Sequence, residues 1–218
     1  MSNLLPAIRH NIGELLFERR YGTQTNGRWN FDEFNVAGDE RVYYIASNWL
    51  TLRRVLSQRD VSTDDVFLDL GAGMGRMVLE AARYRFRRVI GVEPVTELCD
   101  IARANVAKTR QRLRCRDIEL VCSDVLEYQI PRDVTVVFLN NPFRGQIFAQ
   151  VIDGLLTSVD DNPRRVRIIY ANPVEDQTLL DTGRFIRQST TALVPFRRPK
   201  PTFGSTSIYS IIPRPGAN

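Results

Sequence analysis

A glycine-rich turn between an apolar run and a helix-like segment most constrains how this chain can fold. The stretch Asp69-Leu-Gly-Ala-Gly-Met-Gly75 follows the apolar run at residues 66–68 and leads into a helix-like segment at residues 76–82. Glycine adopts positive φ readily and lets a ligand approach the backbone, because it has no Cβ. The N–H groups at the start of the following helix favour a carboxylate or phosphate. The stretch therefore predicts a strand, a ligand-binding turn and a helix, in that order.

The acid at the end of the next predicted strand indicates what kind of ligand the turn binds. Residues 88–92 form an apolar run that ends at Glu93, and an acid there can accept hydrogen bonds from both ribose hydroxyls of a nucleoside. A dinucleotide-binding turn has the spacing G-x-G-x-x-G, whereas glycines 71, 73 and 75 have the spacing G-x-G-x-G. The pattern favours another nucleoside cofactor, with nicotinamide dinucleotide as the alternative.

From residue 66 onward, predicted strands and helices alternate, as a parallel sheet requires. The later predicted strands are 118–122, 134–139 and 166–170, with helices at 96–110 and 145–158 and a closing antiparallel pair at 185–194 and 207–212. The continuous apolar run 134–139 is typical of a central strand that is buried on both faces. Ligands of open α/β sheets bind beyond the carboxyl ends of the strands. We therefore expect Asn140-Asn141-Pro142-Phe143, which follows this run, to lie at the site.

The N-terminal part of the chain is predicted to be a helical extension. Apolar residues recur at helical spacing over residues 1–20 and again from Asp39, a candidate N-cap, to about Gln58. Between them, residues 21–38 combine turn signals with aromatic residues. This loop is expected either to cover a pocket or to be held against the core by its rings.

Composition argues against several classes of protein. The only histidine is His10, and the 3 cysteines have no C-x-x-C spacing, so neither a metal site nor a histidine-based triad is expected. The cysteines are predicted to be buried or incidental thiols without a disulfide framework. No apolar run approaches the ~20 residues that cross a bilayer, and the N-terminus lacks a signal peptide's basic start and apolar centre. We therefore expect a cytoplasmic protein with no membrane partner.

The positive charge of the chain has two interpretations. The net charge is +5 and the pI is about 9.4, which is compatible with nucleic-acid binding. Lys108 and Lys200 are the only lysines, so nearly all basic residues are arginine, a bias that a GC-rich genome also produces. A solvated basic surface is favoured over a nucleic-acid interface.

The glycine turn and Glu93 resemble the corresponding parts of the class I S-adenosylmethionine-dependent methyltransferases. The resemblance implies an α/β, Rossmann-like fold, with a mostly parallel seven-stranded sheet, helices on both faces and, here, an N-terminal helical extension. It implies S-adenosyl-L-methionine as cofactor, with its methionine end at the glycine turn and its ribose at Glu93. The residues implied to bind it are Asp69, Gly71, Ala72, Gly73, Gly75, Glu93, Pro94, Asp124 and Val125.

Two of these residues follow the third predicted strand. The resemblance implies that Asp124 accepts a hydrogen bond from the adenine amino group and that Val125 lies beside the adenine ring. The same stretch, Ser-Asp-Val-Leu-Glu, is also a common helix cap. Asp124 is therefore expected either to bind the adenine amino group or to cap a helix.

The turn after the fourth predicted strand resembles the N-P-P-Y/F signature of methyltransferases that modify planar nitrogens in adenine, cytosine or glutamine. This implies that Asn140 accepts a hydrogen bond from the target amino group, that Pro142 stiffens the turn and that Phe143 stacks on a planar substrate. Asn141 departs from the signature, because proline is usual there. The segment 81–93 also resembles small bacterial methyltransferases and lysine methyltransferases related to the histone Dot1 group.

These resemblances imply a methyltransferase in which residues 1–60 form a helical cover over the acceptor pocket and residues 61–218 bind the cofactor and catalyse transfer. An amine acceptor needs only its lone pair aimed at the methyl group, whereas a hydroxyl needs a base. Because the single histidine lies at position 10, we predict N-methylation of a small molecule or a protein side chain. A nucleic-acid N-methyltransferase and a non-catalytic S-adenosylmethionine-binding module are the alternatives.

Overall fold

The computed structural model describes residues 18–26, 28–29, 44–192 and 204–212. Seven strands within these residues form one sheet: β1 (Val66–Leu70), β2 (Arg88–Glu93), β3 (Ile118–Cys122), β4 (Val136–Leu139), β5 (Arg167–Ala171), β6 (Phe185–Ala192) and β7 (Ser205–Ile211). Their order across the sheet is β3-β2-β1-β4-β5-β7-β6. Strands β1 to β5 pair in parallel, and β7 is antiparallel to β5 and β6.

Helices flank the strands, and the three that lie between consecutive parallel strands each return the chain to the same end of the sheet. The helices are α1 (Thr51–Val55), α2 (Arg76–Ala81), α3 (Thr96–Thr109), α4 (Gly145–Asp161) and α5 (Asp176–Asp181). Short 3-10 turns lie at Gln58–Asp60 and Arg110–Arg112. No helix in the described part of the chain is long and apolar enough to cross a membrane.

The helices lie on both faces of the sheet. Successive strand residues point to opposite faces. In β4, Val137 and Leu139 pack in the same apolar cluster as α4, whereas Val136 and Phe138 pack in the cluster that contains α2. The predicted mostly parallel, seven-stranded Rossmann-like sheet is therefore confirmed.

The centre of the sheet is fully buried. Strands β1 and β4 are neighbours, and every residue of both strands is buried. Burial of a valine, leucine or phenylalanine side chain stabilises the fold by about 1.5–3 kcal/mol. The prediction of a central strand before Asn140 is confirmed, although β4 begins at Val136 and not at Val134.

The predicted helix from Asp39 to Gln58 is wrong over residues 44–50 and is confirmed only at Thr51–Val55 within its described part. Residues 44–45 form a short strand antiparallel to residues 28–29, and helix α1 starts only at Thr51. Asn48 explains the late start, because its Oδ1 accepts the N–H of Leu50 at 2.8 Å and its carbonyl oxygen accepts the N–H of Thr51 at 2.9 Å. Such local hydrogen bonds compete with a continuous helix.

Other predictions for the flanks lie outside the described residues. These are most of the helix at 1–20, most of the aromatic loop at 21–38 and the start of the predicted helix at Asp39. The division into a cover at 1–60 and a catalytic domain at 61–218 therefore stays a prediction.

The cysteines differ from the prediction of incidental thiols. Cys99 in α3 and Cys122 at the end of β3 form a disulfide, with a Cα–Cα distance of 6.1 Å, while Cys115 is a buried free thiol. The two bonded residues are 23 positions apart. They meet because α3 packs beside the β2–β3 pair, and no local spacing in the sequence signals that contact.

Two glycine substitutions test how tightly the sheet packs behind the glycine turn. A Cβ on Gly91 would lie 2.7 Å from Val78 Cγ2 and 2.9 Å from the Cβ of Ala72. We expect Gly91→Ala to lower the free energy of unfolding by about 1–3 kcal/mol, because the core is overpacked. The measurement is urea-induced unfolding followed by circular dichroism.

The matched control is Gly154→Ala in α4, where an added Cβ would meet nothing within 4 Å. We expect this variant to be stabilised by about 0.5–1 kcal/mol, because alanine is the better helix former. Equal effects of the two substitutions would contradict the packing described here.

Candidate functional site

Two loops meet at the carboxyl ends of β1 and β4. Successive strands are added on one side of β1 up to β3 and on its other side from β4 onward, so the strand order switches direction between β1 and β4. Open α/β sheets bind ligands at such a switch point. A Cβ on Gly71 would lie 2.7 Å from the Cβ of Pro142. The glycine turn at 71–75 and the loop at 140–143 are therefore in direct contact, as the sequence predicts for parts of one site.

The glycine turn has a backbone that other residues would adopt only with strain. Gly71, Gly73 and Gly75 have φ values of 87°, 53° and 81°, all in the left-handed region that favours glycine. The N–H groups of Gly71 and Ala72 both donate to the carbonyl oxygen of Val92 at 2.9 Å. These bonds hold the start of the turn against β2, while Gly71 itself is exposed.

The Glu93 carboxylate holds the middle of the turn. It is 4% exposed, and its Oε2 accepts the N–H of Gly73 at 2.8 Å. Its Oε1 accepts the N–H of Val95 at 3.2 Å, across the half-buried Pro94. Bonds to an ionised acceptor are among the stronger protein hydrogen bonds, and a carboxylate can accept about four. Holding the turn does not exclude the predicted bonds to ribose hydroxyls.

Asp69 is the second acid at this end of the sheet. It is 2% exposed in β1, and burial raises its pKa to about 8, with a further contribution from the negative charge of Glu93. The carboxyl group is therefore mostly protonated at neutral pH in the absence of a cation. A positive charge placed beside it would favour the ionised form.

Asp124 lies where the sequence predicts, at the turn that follows β3. Its Oδ1 accepts the N–H of Leu126 at 2.9 Å, as in an Asx turn. Asp124 therefore caps a local turn, and not the start of a helix as the alternative interpretation predicted. Val125 is partly buried against the core, and Leu126 is 45% exposed. The predicted adenine contacts of Asp124 and Val125 stay predictions.

Asn140 is tied to the end of the neighbouring strand. Its Oδ1 accepts a hydrogen bond from Nδ2 of Asn172 at 2.8 Å, and Asn172 Oδ1 accepts the N–H of Gly204 at 2.8 Å. The sequence contains Asn-Pro at both strand ends, residues 141–142 and 172–173. That repetition is the signal by which Asn172 could have been found, and sequence reasoning assigned it no role.

Asn141, the departure from the N-P-P-Y/F signature, is buried and strained. It is 3% exposed with φ 48°, and its amide oxygen has no hydrogen-bond partner among the residues that the structure describes. A non-glycine residue at positive φ is uncommon and is found preferentially at functional sites. The side chain of Pro142 fills the space beside Gly71.

Phe143 lies in the core and not at an open surface. It is 3% exposed, and its ring centroid is 6.1 Å from that of Phe148 in α4. In this position the ring anchors the loop to α4. The predicted stacking on a planar substrate stays a prediction that this placement does not support.

Arg76, at the start of α2, connects the glycine turn to the N-terminal segment. It is 2% exposed, its Nε donates to Thr25 Oγ1 at 2.8 Å, and its Nη1 donates to the carbonyl oxygen of Ser47 at 2.7 Å. Its guanidinium also lies 5.0 Å from the ring centroid of Trp49. Sequence reasoning missed this residue, because a buried arginine depends on partners that are distant in the chain.

No group of three or more histidine, cysteine or acidic residues in the described ranges could hold a metal ion.

A model of the family described as histone methylation protein DOT1 matches residues 37–179 of the chain. A protein-lysine N-methyltransferase of Saccharolobus islandicus is 37% identical over 68 residues, covering 31% of this chain and 42% of that protein. A probable ribosomal RNA small subunit methyltransferase A of Methanosphaera stadtmanae is 25% identical over 140 residues, covering 56% of this chain and 49% of that protein. The chain thus spans less than half the length of these curated relatives.

Among solved structures, an RNA methyltransferase from Salinibacter ruber in complex with S-adenosyl-L-homocysteine has a similar fold. The TM-score is 0.52 with 22% sequence identity, over 78% of this chain and 95% of that one. At this identity the likeness concerns the fold alone.

The raised pKa of Asp69 predicts a pH dependence of stability. Between the ordinary pKa of an aspartate and about 8, the folded state holds a proton that the unfolded state has lost. Stability should therefore fall as the pH rises from 5 to 8, by up to about 1.4 kcal/mol per pH unit for one proton. We expect Asp69→Asn to flatten this slope in urea unfolding measured at several pH values.

The control for that measurement is Asp153→Asn, at an exposed position on α4. This variant should keep the wild-type slope. A wild-type slope that Asp69→Asn leaves unchanged would show that Asp69 is not the group responsible.

Proposed function

Because the chain belongs to the family described as histone methylation protein DOT1, we propose that it transfers a methyl group from S-adenosylmethionine to the side-chain amine of a protein lysine. The predicted enzyme class and cofactor agree with this family and are confirmed at that level. The observation that carries the proposal is that the matched range, 37–179, includes the glycine turn, Glu93 and the loop at 140–143. The name of the Saccharolobus islandicus relative supports lysine as the acceptor.

The residues around the glycine turn fit the cofactor, which supplies an activated methyl group on a positively charged sulfur when bound. Gly71 is exposed and carries no side chain, so its backbone is accessible to the methionine part of S-adenosylmethionine. The carboxyl groups of Asp69 and Glu93 lie in the adjacent strands β1 and β2 and complement a cation. Glu93 is assigned to the ribose hydroxyls, and Asp124 with Val125 to the adenine.

The contribution of the protein to transfer is alignment. Holding the nitrogen, carbon and sulfur in line can supply about 7–11 kcal/mol of the barrier reduction. Asn140 lies in the loop that contacts the glycine turn, and its amide is assigned to accept a hydrogen bond from the lysine amine. The described residues include no histidine that could act as a base. A lysine amine carries an extra proton at neutral pH, so it must lose this proton to solvent before its lone pair attacks the methyl carbon, and the methylated nitrogen can release a second proton after transfer.

A cover over the acceptor pocket is part of the proposal. Thr25, Ser47 and Trp49 reach the start of α2 through Arg76, so at least these residues of the N-terminal segment lie next to the glycine turn. Binding of the cofactor and the contacts that Thr25, Ser47 and Trp49 make with Arg76 are therefore expected to depend on each other.

Transfer to RNA is the second candidate. The Methanosphaera stadtmanae relative is named as a probable ribosomal RNA methyltransferase, and the net charge of +5 is compatible with a polyanionic partner. This candidate requires RNA binding that weakens steeply with salt.

Two substitutions separate cofactor binding from transfer. We expect Glu93→Ala to weaken S-adenosylhomocysteine binding by at least about tenfold, because both the turn and the ribose lose their acceptor. Asn140→Ala should leave this affinity within about twofold and lower turnover by about tenfold to a hundredfold. Calorimetric titration and steady-state kinetics give the two quantities. Unchanged affinity in Glu93→Ala would contradict the assigned cofactor site.

The acceptor is tested with labelled S-adenosylmethionine and two probes, a lysine-rich histone preparation and total cellular RNA. We expect label in the protein, removed by protease and recovered as methyl-lysine after acid hydrolysis. Label that nuclease removes would instead establish the RNA candidate. Wild-type protein that binds S-adenosylhomocysteine but labels neither probe would contradict both acceptors.

A further inference from the structure

A chain of hydrogen bonds runs from the backbone of the turn before β7 to the predicted catalytic loop. It begins at the N–H of Gly204, which donates to Asn172 Oδ1 at 2.8 Å. It continues from Asn172 Nδ2 to Asn140 Oδ1, also at 2.8 Å. The three residues come from the ends of β4 and β5 and from the turn before β7.

The direction of this chain is fixed by chemistry. A backbone N–H can only donate, so the atom of Asn172 that faces Gly204 must be its oxygen. The other end of the Asn172 amide is then NH2, which can only donate as well. The atom of Asn140 that faces it must therefore be the oxygen. One backbone N–H thus determines which way the Asn140 amide points.

Asn172 is itself held in a restricted conformation. Its φ is 51°, a left-handed value that asparagine tolerates better than most residues. Its N–H donates to the carbonyl oxygen of Ser205 at 2.8 Å, and its carbonyl oxygen accepts the N–H of Val174 at 2.8 Å. With the backbone fixed on both sides, the side chain has a defined direction toward Asn140.

We propose that Asn172 is a positioning residue that sets the orientation of the Asn140 amide and so keeps an acceptor oxygen, and not an NH2 donor, available to the substrate amine. The inference rests on the proposed transfer to an amine. An NH2 group turned toward the amine would donate to the nitrogen lone pair that must attack the methyl carbon. A carbonyl oxygen can accept two hydrogen bonds, so the bond from Asn172 does not exhaust it.

The sharpest test is Asn172→Asp. The introduced carboxylate keeps the size of the side chain and still accepts the Gly204 N–H, but it presents an oxygen to Asn140 Oδ1. The Asn140 amide must then rotate to donate its NH2. We expect kcat with the lysine-rich probe to fall by about tenfold to a hundredfold, while S-adenosylhomocysteine affinity stays within about twofold.

Asn172→Gly, which suits the left-handed backbone, should lower kcat less than Asn172→Asp does, because it leaves the Asn140 amide unconstrained.

A double-mutant cycle distinguishes positioning from general structural damage. Because Asn172 acts through Asn140, adding Asn172→Asp to Asn140→Ala should cause no further loss of kcat. Thr190→Val is the matched control, since it removes a hydrogen bond to Ser207 (2.9 Å) between β6 and β7; it should leave kcat unchanged. Independent, multiplying losses in the double variant would overturn the proposal.

A second measurement does not depend on activity. In 15N-labelled protein, Asn172→Asp should move the side-chain NH2 resonances of Asn140, while Thr190→Val should leave them in place. Resonances of Asn140 that do not respond to Asn172→Asp would overturn the proposal even if the enzyme is active. If wild-type protein methylates no probe, the proposed function fails, whereas this measurement still decides whether Asn172 orients Asn140.

Discussion

The site depends on the hydrogen bond from the Gly73 N–H to the buried carboxylate of Glu93. The glycine turn is left-handed at residues 71, 73 and 75, and glycine loses more conformational entropy on ordering than other residues. Such a turn needs strong acceptors, and Glu93 and the Val92 carbonyl provide them from the end of β2. The same acid that is assigned to the cofactor thus also shapes the loop that receives it. In the proposed site, Glu93 therefore couples cofactor binding to the conformation of the glycine turn.

The second constraint is the contact between the strand-end loops. Gly71 and Pro142 touch so closely that no side chain fits at residue 71. Asn141 at positive φ and the buried Phe143 hold the second loop in that position, and Asn172 fixes the side chain of Asn140 from β5. Packing and hydrogen bonds thus bring together the loop proposed to bind the cofactor and the loop proposed to bind the methyl acceptor.

The sequence predicted the features that depend on local pattern. The order of the strands and of helices α2 to α4, the positions of the glycine turn and Glu93 and the central burial of β4 all follow from spacing and apolar runs, whereas the short helix α5 was not predicted. It did not predict the Asn172–Asn140 bond or the Cys99–Cys122 disulfide. Both join residues from different elements, and only the strand order and helix packing bring such partners together. The late start of α1 was missed because a single side-chain bond at Asn48 outweighed a helical apolar pattern.

A crystal structure of the protein with S-adenosylhomocysteine tests the central claim most directly. The account predicts the methionine end of the ligand against the backbone of residues 71–75, the ribose hydroxyls on Glu93 and the sulfur directed toward Asn140. Ligand bound at another place on the chain, or bound with its ribose away from Glu93, would contradict it.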